Sequence, residues 1–145
     1  MDIKQLRPSR KSKYKQGYVR PDSCKKYFGS GPIIYRSSYE RKFIVWLESN
    51  KRVARWTSEA ISIPYKYIDG KIHRYYPDYY VEMVDGRKFI IEIKPYNQTH
   101  PPVNDNLYAN REWSKNVRKW DSARQFCKEH GLEFQIITEN TINKL

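Results

Sequence analysis

The chain has 145 residues, the size of one ordinary domain and enough to enclose a hydrophobic core. It carries 28 Lys or Arg against 16 Asp or Glu, a formal net charge of +12. This charge favours a polyanionic partner, above all nucleic acid, over a membrane surface, because no amphipathic helix is evident in the most basic segment. Without a transmembrane-length apolar run or a signal-peptide core, we expect a protein that stays where it is made.

Residues 1 to about 30 form the most basic segment, with nine Lys or Arg and two Asp. The lack of hydrophobic periodicity predicts a flexible or loosely docked arm over 1–30 and a folded domain over 31–145. Tyrosines alternate with cations here, a mixture suited to phosphate contacts and base stacking on DNA. A solubilising tail is the alternative. The candidate DNA-binding cations are Lys11, Lys13, Lys15, Arg20, Lys25 and Lys26.

The first periodic segment runs from Ser37 to about Asn50 and predicts an amphipathic helix. Ser37 is a candidate N-cap, and Glu40, three residues later, fits a capping box. Glu40 has a second interpretation, since an acid in the first turn beside the apolar stripe is also placed to project toward a metal site.

Three strands are predicted next. Residues 53–67 alternate between apolar and polar and predict a strand broken or bent near Pro64, followed by a turn at Asp69-Gly70. Residues 75–95 predict two further strands joined at Asp85-Gly86, the strongest short-range hairpin signal. Together these segments predict a meander of three strands.

The last of these strands carries the candidate catalytic residues. Alternation of side chains places Glu92 and Lys94 on one face, roughly 6.6 Å apart along the strand. Asp78 follows Pro77 on the preceding strand. An exposed Glu-Lys pair is the alternative, but the strand is otherwise apolar and therefore central, where buried charges need partners such as metal ions.

A helical stripe from Trp113 to Cys127 follows an irregular loop and closes at Gly131, with one or two helices left open because Asn116 could cap a second one. Residues 132–138 predict a final strand that returns to the same sheet. The order of helix, three strands, helix and strand predicts an α/β fold with a mixed sheet. Two cysteines far apart, Cys24 and Cys127, suggest no disulfide framework and fit a reducing cytosol.

These residues suit metal-dependent phosphodiester hydrolysis. Mg²⁺ typically takes one or two protein carboxylates, and Asp78 and Glu92 satisfy that count, with the backbone carbonyl of Ile93 as a further oxygen ligand. Lys94 would lie beside the attacking water, where its charge stabilises the transition state, although its protonation state is open. Glu40, if it faces the sheet, would complete a second ion site or hold a water of the first.

The pair Pro77-Asp78 followed by Glu92-Ile93-Lys94 resembles the PD-(D/E)xK nuclease superfamily. A longer series of short matches over residues 34–139 resembles the head completion nucleases of T-even-type tailed phages and, more distantly, the N-terminal nuclease domain of TnsA transposition endonucleases. The matching segments are Tyr35-Arg36-Ser37-Ser38-Tyr39-Glu40, Trp56-Thr57-Ser58-Glu59, Ile63-Pro64-Tyr65, Pro77-Asp78, Glu92-Ile93-Lys94-Pro95, Thr99-His100-Pro101-Pro102, Lys119-Trp120 and Ile137-Thr138-Glu139.

The resemblance implies an αβββαβ restriction-endonuclease-like core with a mixed central sheet flanked by helices. It also implies a Mg²⁺-dependent nuclease, with Mn²⁺ able to substitute, that trims packaged double-stranded DNA at the portal so that tails join filled heads. The catalytic set would be Glu40, Asp78, Glu92 and Lys94. Phage portal or neck proteins would be partners, in the virion and, during assembly, in the host cytoplasm.

The matching motifs also contain Glu59 and Lys119, to which the resemblance assigns no role. Glu59 is otherwise of the kind that pairs with a nearby Arg. A non-catalytic basic protein of the virion, binding DNA or the portal, is the alternative function.

Overall fold

The computed structural model describes residues 17–103 and 106–145, which form eight strands and three α-helices. In chain order the elements are β1 (Gly17–Val19), β2 (Ile33–Tyr35), α1 (Ser38–Ser49), β3 (Val53–Ser58), β4 (Ile63–Lys66), β5 (Ile72–Tyr75), β6 (Tyr79–Met83), β7 (Lys88–Ile93), α2 (Leu107–His130), β8 (Glu133–Ile137) and α3 (Glu139–Ile142). Single 3₁₀ turns occur at Pro21–Ser23 and Tyr96–Gln98.

The central sheet has four strands in the order β3-β6-β7-β8. β3, β6 and β7 are antiparallel neighbours, and β8 lies parallel to β7 after the crossover through α2. The predicted hairpin is present, since β6 and β7 flank the turn at Asp85-Gly86, where Gly86 adopts a positive φ of 94°. The predicted mixed sheet and the return of the last strand to it are therefore confirmed.

The predicted three-strand meander is wrong in one respect. Of the two alternatives for residues 53–67, the broken strand is observed, as β3 and β4, but among the described residues β4 pairs only with β5, in a separate two-stranded ribbon. The chain leaves the sheet at Glu59, which has a positive φ of 49°, and Pro64 has no N–H to donate to a further strand. The αβββαβ core consequently consists of α1, β3, β6, β7, α2 and β8, with the β4–β5 ribbon inserted between its first two strands.

Helix α1 begins where the capping signal predicts. The hydroxyl of Ser37 accepts a hydrogen bond from the backbone N–H of Glu40 at 3.2 Å. The capping box is half formed, because the Glu40 carboxylate accepts from the N–H of Arg36 rather than from that of Ser37. This bond turns Glu40 inward, and it lies on the buried face of the helix.

Two hydrophobic clusters cover the two faces of the sheet. On one face Phe43 and Leu47 of α1 pack with Tyr79, Phe89 and Ile91. On the other, α2 packs its buried side chains against Ile90 and the β4–β5 ribbon. The alternation predicted for β7 is confirmed, since neighbouring residues 89, 90 and 91 divide between the clusters. Each fully buried Leu or Phe stabilises the fold by about 1.5–3 kcal/mol.

The second helix is one continuous element of 24 residues. Asn106 caps its start by accepting from the N–H of Ala109 at 3.2 Å, and Gly131 closes it in the left-handed conformation at φ 68°. Asn116, a candidate cap for a second helix, instead lies buried in its middle. Among the residues that the structure describes, no helix is long and apolar enough to cross a membrane.

Residues 17–30, the second half of the predicted arm, pack on the domain. β1 pairs with β2, Cys24 is buried in the first cluster, and Lys26 accepts a backbone hydrogen bond from Trp56 at 3.0 Å. The contacts that hold this segment on the domain have no periodic signature in the sequence. One of them joins the rings of Tyr27 and Trp56, whose centroids are 4.9 Å apart. Residues 1–16 of the predicted arm lie outside the described residues.

Candidate active site

Asp78 and Glu92 lie side by side at one end of the β6–β7 pair. Tyr79 pairs with Ile91 in the antiparallel register, and extending this register by one residue beyond β6 puts Asp78 opposite Glu92, whose charge acts on it. Directly opposite residues share a face, with Cβ atoms about 4.5–5.5 Å apart. Asp78 Oδ2 also accepts a hydrogen bond from the N–H of Ile93 at 2.7 Å. The two acids predicted to share an ion are therefore neighbours on one face of the sheet.

Glu92 is an acid in an apolar position. Its side chain is buried, with 9% of the residue exposed, and Oε2 accepts from the hydroxyl of Tyr75 at 2.6 Å. Burial raises the pKa of Glu92, whereas the hydrogen bond from Tyr75 and the charges of Lys94 and Lys119 lower it. Two cations and a buried donor thus face this carboxylate.

The carboxyl group of Asp78 is even more strongly perturbed. Burial, and then the neighbouring charges of Glu92 and Glu40, raise the pKa of Asp78 well above its ordinary value, and only the N–H of Ile93 acts in the opposite direction among the main causes. Packed carboxylates that repel each other in this way are stabilised by a bound cation. The electrostatics consequently favour a positive charge between these acids.

Glu40 reaches the same region from the first turn of α1. Only 9% of Glu40 is exposed. Burial raises the pKa of Glu40, although the hydrogen bond from the N–H of Arg36 lowers it. Its charge acts on both Asp78 and Glu92. Of the two interpretations of Glu40, the inward one fits this arrangement, since the carboxylate does not close the capping box on Ser37.

Lys94 directly follows β7, and its backbone N–H donates to the carbonyl of Ile137 at 2.9 Å. Its half-buried side chain lines a cavity of about 480 Å³ together with Glu40 and the adjoining Ile93. A larger cavity of about 560 Å³ between α1 and the C-terminal residues is lined by no carboxylate side chain. Lys94 and Glu40 therefore line one cavity, whereas Asp78 and Glu92 are not among its lining residues.

The donor set fits a hard divalent ion. Among the described residues, no three His, Cys, Asp or Glu side chains lie close enough together to form a metal site by themselves. Mg²⁺ does not require three, because it keeps several waters and takes one or two carboxylates. Asp78 and Glu92 match that number, and no described residue donates a hydrogen bond to Asp78 Oδ1 or Glu92 Oε1.

Glu59 lies at the rim of this site rather than in it. Its carboxylate forms an ion pair with Arg36, which confirms the expectation that it pairs with a nearby Arg. Its backbone N–H donates to the carbonyl of Asp78 at 3.0 Å. Glu59 is therefore tied to Arg36 through its side chain and to Asp78 through its backbone.

The predicted DNA-binding cations fall in three places. Lys11, Lys13 and Lys15 lie outside the described residues, whereas Arg20 and Lys25 are exposed. The ammonium of Lys26 donates to the carbonyls of Leu47 and Asn50 at the C-terminal end of α1. The side chain of Lys26 is thus engaged within the fold, while Arg20 and Lys25 remain open to solvent.

Two residues close to the acids lack a local sequence pattern that would predict their position there. Tyr75 belongs to the inserted ribbon, and Lys119 comes from the middle of α2. Burial and the charge of Lys94 lower the pKa of Lys119, and Glu92 opposes them. Only the resemblance of the Lys119-Trp120 pair drew attention to the lysine, and nothing local in the sequence indicates Tyr75.

Two sequence matches identify the family of this chain. The model of the TnsA-like endonuclease N-terminal family matches residues 50–139, which is more than half of the chain. This chain belongs to the TnsA-like endonuclease family. It is also similar to the head completion nuclease of Enterobacteria phage T4, with 34% identity covering 86% of this chain and 91% of the relative.

Membership of the TnsA-like endonuclease family confirms the restriction-endonuclease-like fold class and the nuclease class of enzyme. Asp78, Glu92 and Lys94 lie within the matched residues, whereas Glu40 lies before them. The resemblance stated for residues 34–139 is confirmed by the same two matches.

Proposed function

We propose that this protein is a Mg²⁺-dependent nuclease of double-stranded DNA that trims packaged phage DNA during head completion. One observation carries the proposal: Asp78 and Glu92 are adjacent across β6 and β7, with Lys94 two residues beyond Glu92. The family match supports phosphodiester hydrolysis, and the similarity to the head completion nuclease of phage T4 supports a role in head completion.

In this proposal the chain binds its cation through Asp78, Glu92 and the backbone carbonyl of Ile93. The ion, when bound, polarises the phosphate and promotes ionisation of water, as divalent ions do in hydrolases. Glu40 completes a second ion site or orients a water at the first. Mn²⁺ is expected to replace Mg²⁺, because both accept oxygen ligands.

Lys94 has a separate task. Its ammonium group, held at the end of β7 beside the cavity, orients the attacking water and stabilises negative charge that develops on the phosphate oxygens. Water adds to phosphorus, and the bond to one deoxyribose oxygen breaks. The half-buried position of Lys94 makes the effect of this charge larger than it would be in bulk water.

The place of action follows from the same proposal. Trimming at the portal would put the protein in the virion, and in the host cytoplasm during assembly, next to portal or neck proteins. Its basic surface suits double-stranded DNA, given the net charge of +12. Arg20 and Lys25, together with Lys11, Lys13 and Lys15, are the proposed phosphate contacts.

The test uses purified protein with linear and circular plasmid DNA, in Mg²⁺ or Mn²⁺ and then with a chelator. We expect cleavage that needs the ion and that Asp78→Ala abolishes, because one of two ion ligands is lost. Lys94→Ala should lower turnover about 10²- to 10³-fold while DNA affinity in Ca²⁺ changes little. Cleavage of the circular form would show endonucleolytic action.

Two control variants are available, one on β7 and one in the β4–β5 turn. Lys88→Ala removes an exposed lysine from the other end of β7, and Asp69→Ala removes an exposed aspartate from the β4–β5 turn. Both variants should cleave normally. Full activity of a folded Asp78→Ala protein would overturn the proposed site, and DNA binding without cleavage by the unaltered protein would favour the non-catalytic alternative.

A further inference from the structure

The starting observation is the hydrogen bond between Tyr75 and Glu92. The donor and acceptor oxygens are 2.6 Å apart, and the bond is buried. A hydroxyl that donates to a carboxylate at this distance makes one of the strong, charge-assisted hydrogen bonds of proteins. Oε2 of Glu92 is therefore held by the chain itself, and no described residue donates to its other oxygen, Oε1.

The tyrosine ring is fixed by its surroundings. Tyr75 is the last residue of β5, pairs with Ile63 in the ribbon, and is only 4% exposed. Its neighbours in the second hydrophobic cluster include Ile90 of β7 and Trp120 of α2. Because a ring packed on all sides cannot change rotamer freely, the hydroxyl has one accessible position.

Lys119 adds a second restraint from α2. Its ammonium nitrogen lies 5.7 Å from the centroid of the Tyr75 ring and 6.0 Å from that of Tyr65. Cations within about 6 Å of an aromatic centroid are attracted to the ring face. The lysine thereby links α2 to the ribbon next to Glu92, on which its charge also acts.

We propose that Tyr75 is a positioning residue of the active site, whose hydroxyl holds the Glu92 carboxylate by Oε2 and leaves Oε1 to bind the divalent ion. The inserted β4–β5 ribbon is then a functional part of the nuclease, since it delivers this hydroxyl to the catalytic strand. The inference rests on the proposed function, because it takes Glu92 as an ion ligand.

The decisive variant is Tyr75→Phe, which keeps the packed ring and removes the hydroxyl. Outer partners of metal ligands typically contribute 10- to 100-fold to metal affinity or activity. We therefore expect Mn²⁺ binding, measured without DNA by electron paramagnetic resonance or calorimetry, to weaken about tenfold or more. The Mg²⁺ concentration for half-maximal cleavage should rise in parallel, while DNA affinity in Ca²⁺ stays the same.

A matched control exists in the same sheet. The hydroxyl of Tyr80 donates to the carboxylate of Glu82 at 2.8 Å. Glu82 is not one of the residues proposed to bind the ion. Tyr80→Phe loses the same kind of hydrogen bond and should leave Mn²⁺ binding and cleavage unchanged. If Tyr75→Phe behaves like Tyr80→Phe, the hydroxyl merely satisfies a buried acid, and the proposal is overturned.

A further substitution covers the case in which Tyr75→Phe does not fold. Incorporation of 4-aminophenylalanine at position 75 keeps the ring and a donor and should retain Mn²⁺ binding within about twofold of the unaltered protein. A folded 4-amino variant that binds Mn²⁺ tenfold more weakly would contradict the proposal. Failure of the proposed function is seen separately, as unaltered protein that neither binds Mn²⁺ nor cleaves DNA.

Discussion

At the scale of single residues, the central feature is a group of acids held at a cost in stability. Asp78 and Glu92 are neighbours whose pKa values are both raised by burial, and Glu40 adds a like charge. Folding therefore favours their protonated forms over the charged forms that an ion site needs. Such arrangements persist where function requires them, and a bound cation would remove the repulsion.

This arrangement predicts the pH dependence of the metal-free protein. Since the folded pKa of Asp78 lies above its ordinary value of 3.8, the native state binds more protons than the unfolded state, and stability falls as pH rises above about that value. Asp78→Asn should then be more stable than the unaltered protein at pH 7.5, by on the order of 1 kcal/mol. Urea unfolding in chelator from pH 3.5 to 8 measures the difference.

Asp69 is the control for that measurement. It is exposed, and the N–H of Lys71 and the ring of His73 lower its pKa, so its contribution to stability is present above the ordinary value. Asp69→Asn should be less stable than the unaltered protein at neutral pH, the opposite sign. An Asp78→Asn protein that is equally stable or less stable at pH 7.5 would mean that the Asp78 carboxylate carries no electrostatic penalty.

Residue patterns predicted these acids but not their partners. Pro77-Asp78 and Glu92-x-Lys94 lie in local patterns, and alternation along one strand suffices to place Glu92 and Lys94 together. Tyr75 and Lys119 meet Glu92 only through the packing of the ribbon and α2. Contacts between elements far apart in the chain leave no spacing in a single sequence, so neither role was predictable.

At the scale of elements, the first turn of α1 joins stability to the site. Ser37 caps the helix, and Glu40 in the same turn faces the acids. Ser37→Ala should lower the free energy of unfolding by about 1 kcal/mol, the usual contribution of such a cap. It should also reduce cleavage, because a frayed first turn releases Glu40. Urea unfolding and plasmid cleavage at saturating Mg²⁺ report the two effects.

Ser49, at the other end of α1, provides the comparison. Its hydroxyl donates to the carbonyls of Val45 and Trp46 in the preceding turn, on the exposed surface. Ser49→Ala should change neither stability nor cleavage by more than experimental error. Equal effects of the two substitutions would show that the cap does not govern Glu40.

Element boundaries were predictable where local chemistry is strong. The cap at Ser37, the turn at Asp85-Gly86 and the closing Gly131 all mark observed ends. The β4–β5 ribbon was misassigned because an alternating run of apolar residues does not state which strand it pairs with. That choice depends on Glu59 and Pro64, where the chain turns away from β3.

At the scale of the whole molecule, positive charge is unevenly distributed. Residues 1–16 contain six Lys or Arg and one Asp, and the packed residues 17–30 contribute the exposed Arg20 and Lys25. Deletion of residues 1–16 should therefore weaken DNA binding and reduce the salt dependence of the affinity, with the slope of log K against log salt smaller by up to about 5. Fluorescence anisotropy in Ca²⁺ from 50 to 300 mM salt measures it.

The deletion must leave the fold intact for this test. A full-length variant with those six cations replaced by Gln keeps the chain length and should show the same loss of slope. An unchanged slope in both proteins would remove residues 1–16 from the DNA interface. Deletion through residue 30 is a poorer test, because it would remove the buried Cys24 and the contact of Tyr27 with Trp56.

The parallel pairing of β8 with β7 has a consequence for synthesis. β7, which carries Glu92, acquires its second neighbour only when residues 133–137 emerge from the ribosome, some forty positions later. Until then one edge of this apolar strand has unpaired N–H and C=O groups, and such an exposed edge can pair with strands of other chains. A nascent or prematurely terminated product is consequently expected to aggregate through the strand on which Glu92 lies.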